Sequence, residues 1–379
     1  MIVYICEMKK EEIKLLESWY PINYQNKLEG RYITPSDILP LLNNLPLDFK
    51  VIRIGRSFLK REISSVAFGK GKKKILIWTQ MHGNESTGTK ALFDLFQFFV
   101  SKHGLSSLSS SILNACTIVC VPILNPDGAI AYTRVNAQNI DLNRDVIDKK
   151  ATESILLQKI LKEVNPEYCF NMHDQRTIFS VGSENNPATI SFLAPSVDKK
   201  RNITEGRKQT MEVIVSMNNL LQTLIPNQIG RYTDEFYPTA TGDNFQKMGH
   251  NTILIESGHF KNDYQREMTR KYTFYALLQG LDYIASETIE NNHVKYLEIP
   301  NNEKLYLDII LTNINYHGND LDVGILFKEE LKSGKIHFVP KIEKIGDLSN
   351  YNANKLIDKI KLLFSNENEI NNWIKNELN

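Results

Sequence analysis

Three apolar runs in this sequence each lead to an ionisable side chain. Residues 74–79 are followed by Met81-His82-Gly83-Asn84-Glu85, residues 168–172 by His173, and residues 252–255 by Glu256. Two imidazoles and one carboxylate, His82, His173 and Glu85, make a donor set that suits zinc, and three protein ligands leave a fourth position for water. His82 and Glu85 are three residues apart, so one strand-to-helix turn can aim both at a single ion. Zinc there would bring the pKa of bound water down to about 7 and polarise a carbonyl. Such chemistry needs a further carboxylate, not itself a ligand, to take and pass the proton. Glu256 is the candidate. None of these residues is specific alone. An HxxE spacing is frequent by chance, and a strand-terminal histidine is more often half-buried and hydrogen-bonded than a ligand.

The surrounding pattern says how such residues would be held. Residues 51–54 and 63–68 read as strands, 74–79 as a buried strand and 87–100 as a helix. Residues 117–124 read as another buried strand, ended by the turn signal Asn125-Pro126-Asp127-Gly128. Helical periodicity covers about 152–163, 204–224 and 264–287, with short buried strands at 168–172 and 252–255. This alternation predicts an α/β fold: a mixed, largely parallel central sheet with helices on both faces. Ligand sites in such sheets gather at the carboxyl ends of strands, where His82, Glu85, His173 and Glu256 fall. Residues 1–50 read as a helical accessory segment, with capping chemistry at Thr34-Pro35-Ser36-Asp37. Residues 51–290 read as a catalytic domain. Residues 295–379 read as a small β-rich unit, with strands near 304–313 and 322–327, a helix near 354–364, and a polar, fraying tail from Ser365.

Further motifs join the three strand ends. Asn125-Pro126-Asp127-Gly128 is followed by Arg134 and by Asp141-Leu142-Asn143-Arg144-Asp145. HxxE, NPDG, Arg, DLNR, a later His, then Tyr and Glu, in that order over about residues 50–285, resemble the M14 zinc metallocarboxypeptidases of the carboxypeptidase A type. The resemblance implies one zinc ion per chain, held by His82, Glu85 and His173. It implies that Arg134 stabilises the oxyanion, that Asn143 and Arg144 grip the substrate's terminal carboxylate, that Tyr237 closes over substrate, and that Glu256 is the catalytic glutamate. Simple chemistry agrees: an arginine fork binds a carboxylate bidentately, and a second arginine aimed at a developing oxyanion stabilises charge where it appears. Tyr232 is a rival to Tyr237. Asp243 falls near the position that sets side-chain preference in the family; it either favours a basic C-terminal residue or is a turn residue before Phe245.

The sequence also departs from the peptidase pattern. Asp174-Gln175-Arg176 follows His173, and Ser257-Gly258-His259 follows Glu256. His82-Gly83-Asn84-Glu85 and the Glu256-x-Gly258 pattern resemble the related succinylglutamate desuccinylase and aspartoacylase group, which hydrolyses N-acyl amino acids. The leading expectation is therefore a zinc carboxypeptidase that cleaves the amide bond next to a free carboxylate. The alternatives are a zinc deacylase of N-acyl amino acids and a non-catalytic remnant that binds carboxylate-ended ligands. The partner in each case is a peptide or N-acyl amino acid with a free carboxylate.

Composition narrows the classes further. The 379 residues are 42% hydrophobic and carry a net charge of +1, so a sizeable core is available and no global field favours nucleic acid or an anionic membrane. The four cysteines, Cys6, Cys116, Cys120 and Cys169, form no CxxC pair and read as structural thiols, Cys116 and Cys120 as small buried hydrophobes. The apolar opening, residues 1–6, is too short for a signal-peptide core, and no run has the length of a membrane span. The cytoplasm is the expected location.

Overall fold

The computed structural model describes residues 8–182, 186–286, 291–316, 318–358 and 362–377. Residues 1–6, including Cys6, lie outside them. The chain opens with helices α1 (Lys10–Asn23) and α2 (Pro35–Asn43). Leu16, Trp19 and Tyr20 sit at helical spacing on α1 and are buried. At the start of α2, the Thr34 backbone N–H donates to Asp37 Oδ2 at 2.8 Å, and Pro35 takes the first helical position, where its missing N–H costs nothing.

A central sheet follows. Its first strands are β1 (Lys50–Arg56), β2 (Glu62–Gly69) and β3 (Lys73–Trp78), then come α3 (Thr87–Val100), α4 (Ser106–Ala115) and β4 (Cys116–Val121). Next are α5 (Pro126–Ala131), α6 (Thr152–Val164) and β5 (Tyr168–Asp174). After two-residue strands β6 (Ser180–Val181) and β7 (Asn186–Pro187) come β8 (Ile190–Leu193), α7 (Glu205–Leu224) and β9 (Ile229–Arg231). Helix α8 (Thr241–Lys247), strand β10 (Asn251–Ser257) and helix α9 (Glu267–Ala285) complete this part. The strand order is β1-β2-β4-β3-β5-β10-β8-β9. The middle strands β4, β3, β5 and β10 run parallel, while β1 and β2 are antiparallel additions at one edge.

Alternation along β3 shows why both faces are covered. Ile75 and Ile77 belong to one apolar cluster with α3, α7 and α9, which also takes in Leu16, Trp19 and Leu41 of the opening helices. Leu76 and Trp78 belong to a second cluster with Leu157, Ile160 and Leu161 of α6 and Phe245 of α8. Strands buried on both faces read as continuous apolar runs, as residues 75–78 do. The α/β fold with helices on both faces is thus present. Asn125-Pro126-Asp127-Gly128 is a helix start: Asn125 accepts from the Gly128 N–H at 2.8 Å and Pro126 opens α5.

Beyond α9, the short strand β11 (Asn302–Glu303) pairs with β6. A second sheet then holds β12 (Tyr306–Tyr316), β13 (Asn319–Lys332), β14 (Lys335–Gly346), β15 (Asn352–Asp358) and β16 (Leu363–Phe364), before α10 (Glu367–Glu377). Two expectations are corrected. The stretch expected to form a helix near 354–364 contributes β15, parallel to β12, because the free edge of β12 offers backbone groups that need partners. The tail from Ser365 carries the helix instead. Ile370 and Ile374, one turn apart, are buried against Ile309, Leu311 and Val323. No helix among the described residues is long and apolar enough to cross a membrane.

Candidate active site

The loop after β3 is folded by close backbone approaches. Gln80 adopts a left-handed conformation, φ 47°, and its side-chain amide donates to the carbonyls of Ile33 and Gly83, each at 2.9 Å. A Cβ on Gly83 would lie 1.9 Å from the carbonyl carbon of Gly128. Only glycine permits this contact, so the His82–Glu85 loop and the Asn125–Gly128 loop are pressed together. In the parallel ladder, Glu256 pairs with His173 across β10 and β5. The carboxyl end of the sheet thereby holds all four groups in one place.

Their donor atoms converge. His82 Nδ1 lies 2.8 Å from Glu85 Oε1, His173 Nδ1 lies 2.8 Å from Glu85 Oε2, and the two Nδ1 atoms are 3.0 Å apart. One ligand atom from each residue lies within 4.8 Å of the others, and all three residues are buried. The arrangement passes a chemical test for a cation. His82 Nε2 meets Asp141 Oδ1 at 3.0 Å, which favours the proton on Nε2 and leaves the Nδ1 lone pair facing Glu85 and His173. Lone pairs and a carboxylate that face one another in a dry site call for positive charge between them, and an N₂O set is one that zinc accepts. Asp141 was part of the Asp141–Asp145 motif but had no role assigned from sequence; the signal was a carboxylate two residues before the Asn-Arg pair.

The electrostatics follow from burial and proximity. Burial would raise the Glu85 carboxyl, but the imidazoles of His82 and His173 hold it well below the usual range. Burial would lower His82, but Glu85 and the hydrogen bond to Asp141 leave it raised. His173 is lowered, chiefly by burial. Glu256 is pushed well above the usual carboxylate range by burial, then by Glu85 and Asp174.

A cleft of about 960 Å³ opens over this centre. His82, Glu85, Arg134, Asn143, Arg144, Tyr237, Asp243 and Glu256 all line it, whereas His173 is buried beside them. Arg134 donates to Asp141 Oδ2 at 3.0 Å and lies 3.4 Å from Glu85 Oε1. The carboxamide oxygen of Asn143 accepts from the Thr241 N–H at 3.2 Å, so its NH₂ remains to donate. The Arg144 guanidinium stacks 4.4 Å over the Tyr237 ring. Tyr237 is 54% exposed, while Tyr232 is half-buried, packed edge-on against Phe179 at 5.3 Å. Asp243 accepts from the Tyr237 N–H at 2.9 Å, and burial pushes it up to about 6.

The departures from the peptidase pattern have structural accounts. The Asp174 carboxylate accepts from the Thr87 hydroxyl at 2.7 Å and its N–H at 3.3 Å, so it sits at the positive end of α3. Arg176 reaches Glu343 at 3.2 Å. His259 hydrogen-bonds Asn354 at 3.0 Å, and burial pushes it down to about 3. A Cβ on Gly258 would meet the Ala188 carbonyl oxygen at 1.9 Å. The Glu256-x-Gly258 spacing is therefore explained by packing. Sequence reasoning missed Arg31, Tyr132, Arg266 and the C-terminal residues Leu326 to Glu329, all of which line the cleft; they come from distant segments and carry no local motif.

Fold and site together define a zinc-carboxypeptidase architecture, and comparison with known proteins agrees. Residues 41–219 match the Peptidase_M14 family, zinc carboxypeptidase. Carboxypeptidase 2 of Trichophyton rubrum is 26% identical over 161 residues, 41% of this chain and 28% of that protein. The match thus spans little more than a quarter of that relative's length. The carboxypeptidase A structure from Helicoverpa armigera superposes with a TM-score of 0.54 at 15% identity, over 74% of this chain and 81% of that one. A metallo-carboxypeptidase from Pseudomonas aeruginosa, solved with (2-guanidinoethylmercapto)succinic acid, gives a TM-score of 0.51 at 16% identity, over 67% and 70%. The family match covers a little under half of this chain, and the likeness to solved carboxypeptidase structures extends the same fold over about two thirds of it.

Proposed function

We propose that this protein is a monozinc metallocarboxypeptidase that hydrolyses the C-terminal amide bond of a peptide bearing a free carboxylate. The observation that carries the reading is the convergence of His82, Glu85 and His173 beneath a cleft that also holds Glu256, Arg134, Asn143 and Arg144. Zinc held by the three donors supplies Lewis acidity to the scissile carbonyl and acidifies water. Asn143 and Arg144 hold the terminal carboxylate through an amide N–H and a guanidinium fork. Glu256 accepts the proton of the attacking water and passes it to the departing nitrogen. Arg134 moves from Asp141 and Glu85 to the carbonyl oxygen, where negative charge develops. Tyr237, exposed and stacked on Arg144, folds over the bound end. Tyr232, packed against Phe179, is a fixed wall.

Asp243 gives this end of the cleft a preference for a basic side chain. The compound in complex with the Pseudomonas relative, (2-guanidinoethylmercapto)succinic acid, pairs a guanidino group with carboxylates, and Asp243 with Arg144 would match that pairing. With its carboxyl held at about 6, Asp243 is mostly neutral below that pH and charged above it. Preference for C-terminal lysine or arginine over leucine therefore grows as pH rises through about 6.

The test is mass-spectrometric screening of the zinc-loaded protein against peptides and N-acyl amino acids side by side. Release of single C-terminal residues is expected, with Glu256→Gln lowering kcat by about 10²–10⁴-fold at unchanged zinc content. Turnover of N-acyl amino acids without any peptide cleavage would replace this reading by the deacylase. Peptide binding without cleavage would make the site a non-catalytic carboxylate binder.

A further inference from the structure

The hairpin of β13 and β14 stands along one side of the cleft. Leu326, Phe327, Lys328, Glu329, Lys341 and Glu343 line it, and all lie beyond the residues that match the family. The hairpin is fastened to the body of the molecule. The Glu329 carboxylate pairs with Arg31 at 2.7 Å and accepts from the Tyr132 hydroxyl. Arg31 is only 7% exposed, and a buried charge that loses its partner is costly, so this contact resists opening. Tyr264 packs against Phe327 and Phe338 with ring centroids 5.3 and 5.4 Å away, and Arg176 reaches Glu343 at 3.2 Å.

The contacts fix which end of a substrate meets this wall. The carboxylate clamp belongs to the end formed by Arg144, Tyr237 and Asp243. The hairpin's fastenings lie beside the metal donors instead, through Tyr132, two residues before Arg134, and through Arg176, three after His173. A peptide anchored by its terminal carboxylate, with its scissile carbonyl at the donors, must direct its amino-terminal part toward β13 and β14. The cleft's volume of about 960 Å³ lies near the top of the range of about 300–1,000 Å³ that encloses a single drug-sized molecule. That is room for a di- or tripeptide.

Resting on the carboxypeptidase reading above, we propose that the β13–β14 hairpin is a length filter. It restricts the enzyme to short peptides and excludes the C-termini of folded proteins and long chains. Lys328 and Lys341, whose side chains are exposed at the cleft, are the specificity-determining positions that can be trimmed without touching the buried fastening at Glu329.

The experiment is a length series from dipeptide to hexapeptide with one shared C-terminal dipeptide, run on the full zinc-loaded chain. For the unaltered protein, kcat/KM is expected to fall about tenfold or more between tripeptide and hexapeptide, with the loss mainly in KM. Lys328→Ala with Lys341→Ala is expected to raise the hexapeptide-to-tripeptide ratio about fivefold. Calorimetric binding of the same series to zinc-loaded Glu256→Gln protein gives a readout that needs no turnover. Binding of short but not long peptides, with no cleavage by the unaltered protein, would sink the carboxypeptidase reading and leave the wall standing. Cleavage and binding that ignore length, or no binding at any length, would overturn the filter.

Discussion

The two sheets that meet at the cleft are built by different rules. Strands β3, β5 and β10 are parallel and buried along nearly their whole length. Their ladder leaves little freedom: moving β10 by one residue against β5 would take Glu256 from beside His173 and turn every side chain to the other face. Strands β13 and β14 are antiparallel and long. After Leu326, β13 leaves the packed interior and continues with half-buried and exposed residues. His173 and Glu256 lie on the buried strands and His82 and Glu85 on the loop that follows one of them, whereas the positions proposed to sort substrates lie on the wet hairpin. A site on buried strands is positioned more accurately than one on exposed elements, so one molecule separates chemistry from selection by burial.

The sharpest way to break this contrast is to remove a donor from the buried sheet. His173→Ala is expected to abolish stoichiometric zinc binding and to lower kcat/KM by about 10⁴-fold or more, since two protein ligands no longer make a three-ligand site. Substitutions on the hairpin change only the ranking of substrates. Metal analysis of the purified variant, alongside peptide turnover, checks both halves. A His173→Ala protein that keeps its zinc and its rate would place the centre elsewhere.

What the sequence disclosed follows the same division. The buried strands were readable because short apolar runs such as residues 75–78 mark strands covered on both faces, and because His82, Glu85, His173 and Glu256 follow such runs directly. The carboxylate that orients His82, Asp141, lay within a motif already singled out, but its role depends on a distance of 3.0 Å between residues far apart in the chain. Helix α8 and strands β8 and β9 escaped notice because each has seven residues or fewer and too few turns or alternations to show a period. Near residues 354–364 local preference pointed to a helix, and pairing of residues 352–358 with β12 decided the matter instead. Nothing in residues 326–329 marks them as cleft-lining; that is a property of the tertiary arrangement alone.

The buried layer should also dominate stability. Arg270 of α9 forms a fork with Asp94 of α3, at 2.7 Å from Nε and 2.6 Å from Nη2, and both side chains are fully buried. The same guanidinium donates to the carbonyls of Gln25 and Leu28, so one residue joins two helices and the loop behind α1. Asp94→Ala removes the buried fork and leaves the guanidinium with the partly exposed Glu267, at 3.1 Å, as its carboxylate, and a loss of about 3–5 kcal/mol is expected. Urea unfolding followed by circular dichroism measures it. A loss below about 1 kcal/mol would mean that the opening segment is held mainly by Leu16, Trp19 and Tyr20.

The same measurement on the hairpin should give the smallest effect. Arg176 and Glu343 meet at 3.2 Å, but their side chains are 65% and 35% exposed. In that setting water and salt screen the pair, and holding two long side chains in one geometry offsets part of the gain. Arg176→Ala is expected to cost no more than about 1 kcal/mol in unfolding free energy, less at high salt. The hairpin keeps its place through Glu329, Phe327 and Phe338, so the peptide-length preference of the variant should follow that of the unaltered protein. If Arg176→Ala instead relaxes the length preference as strongly as trimming Lys328 and Lys341, the wall is held at its outer edge, and the exposed sheet positions itself less firmly than its buried anchor implies.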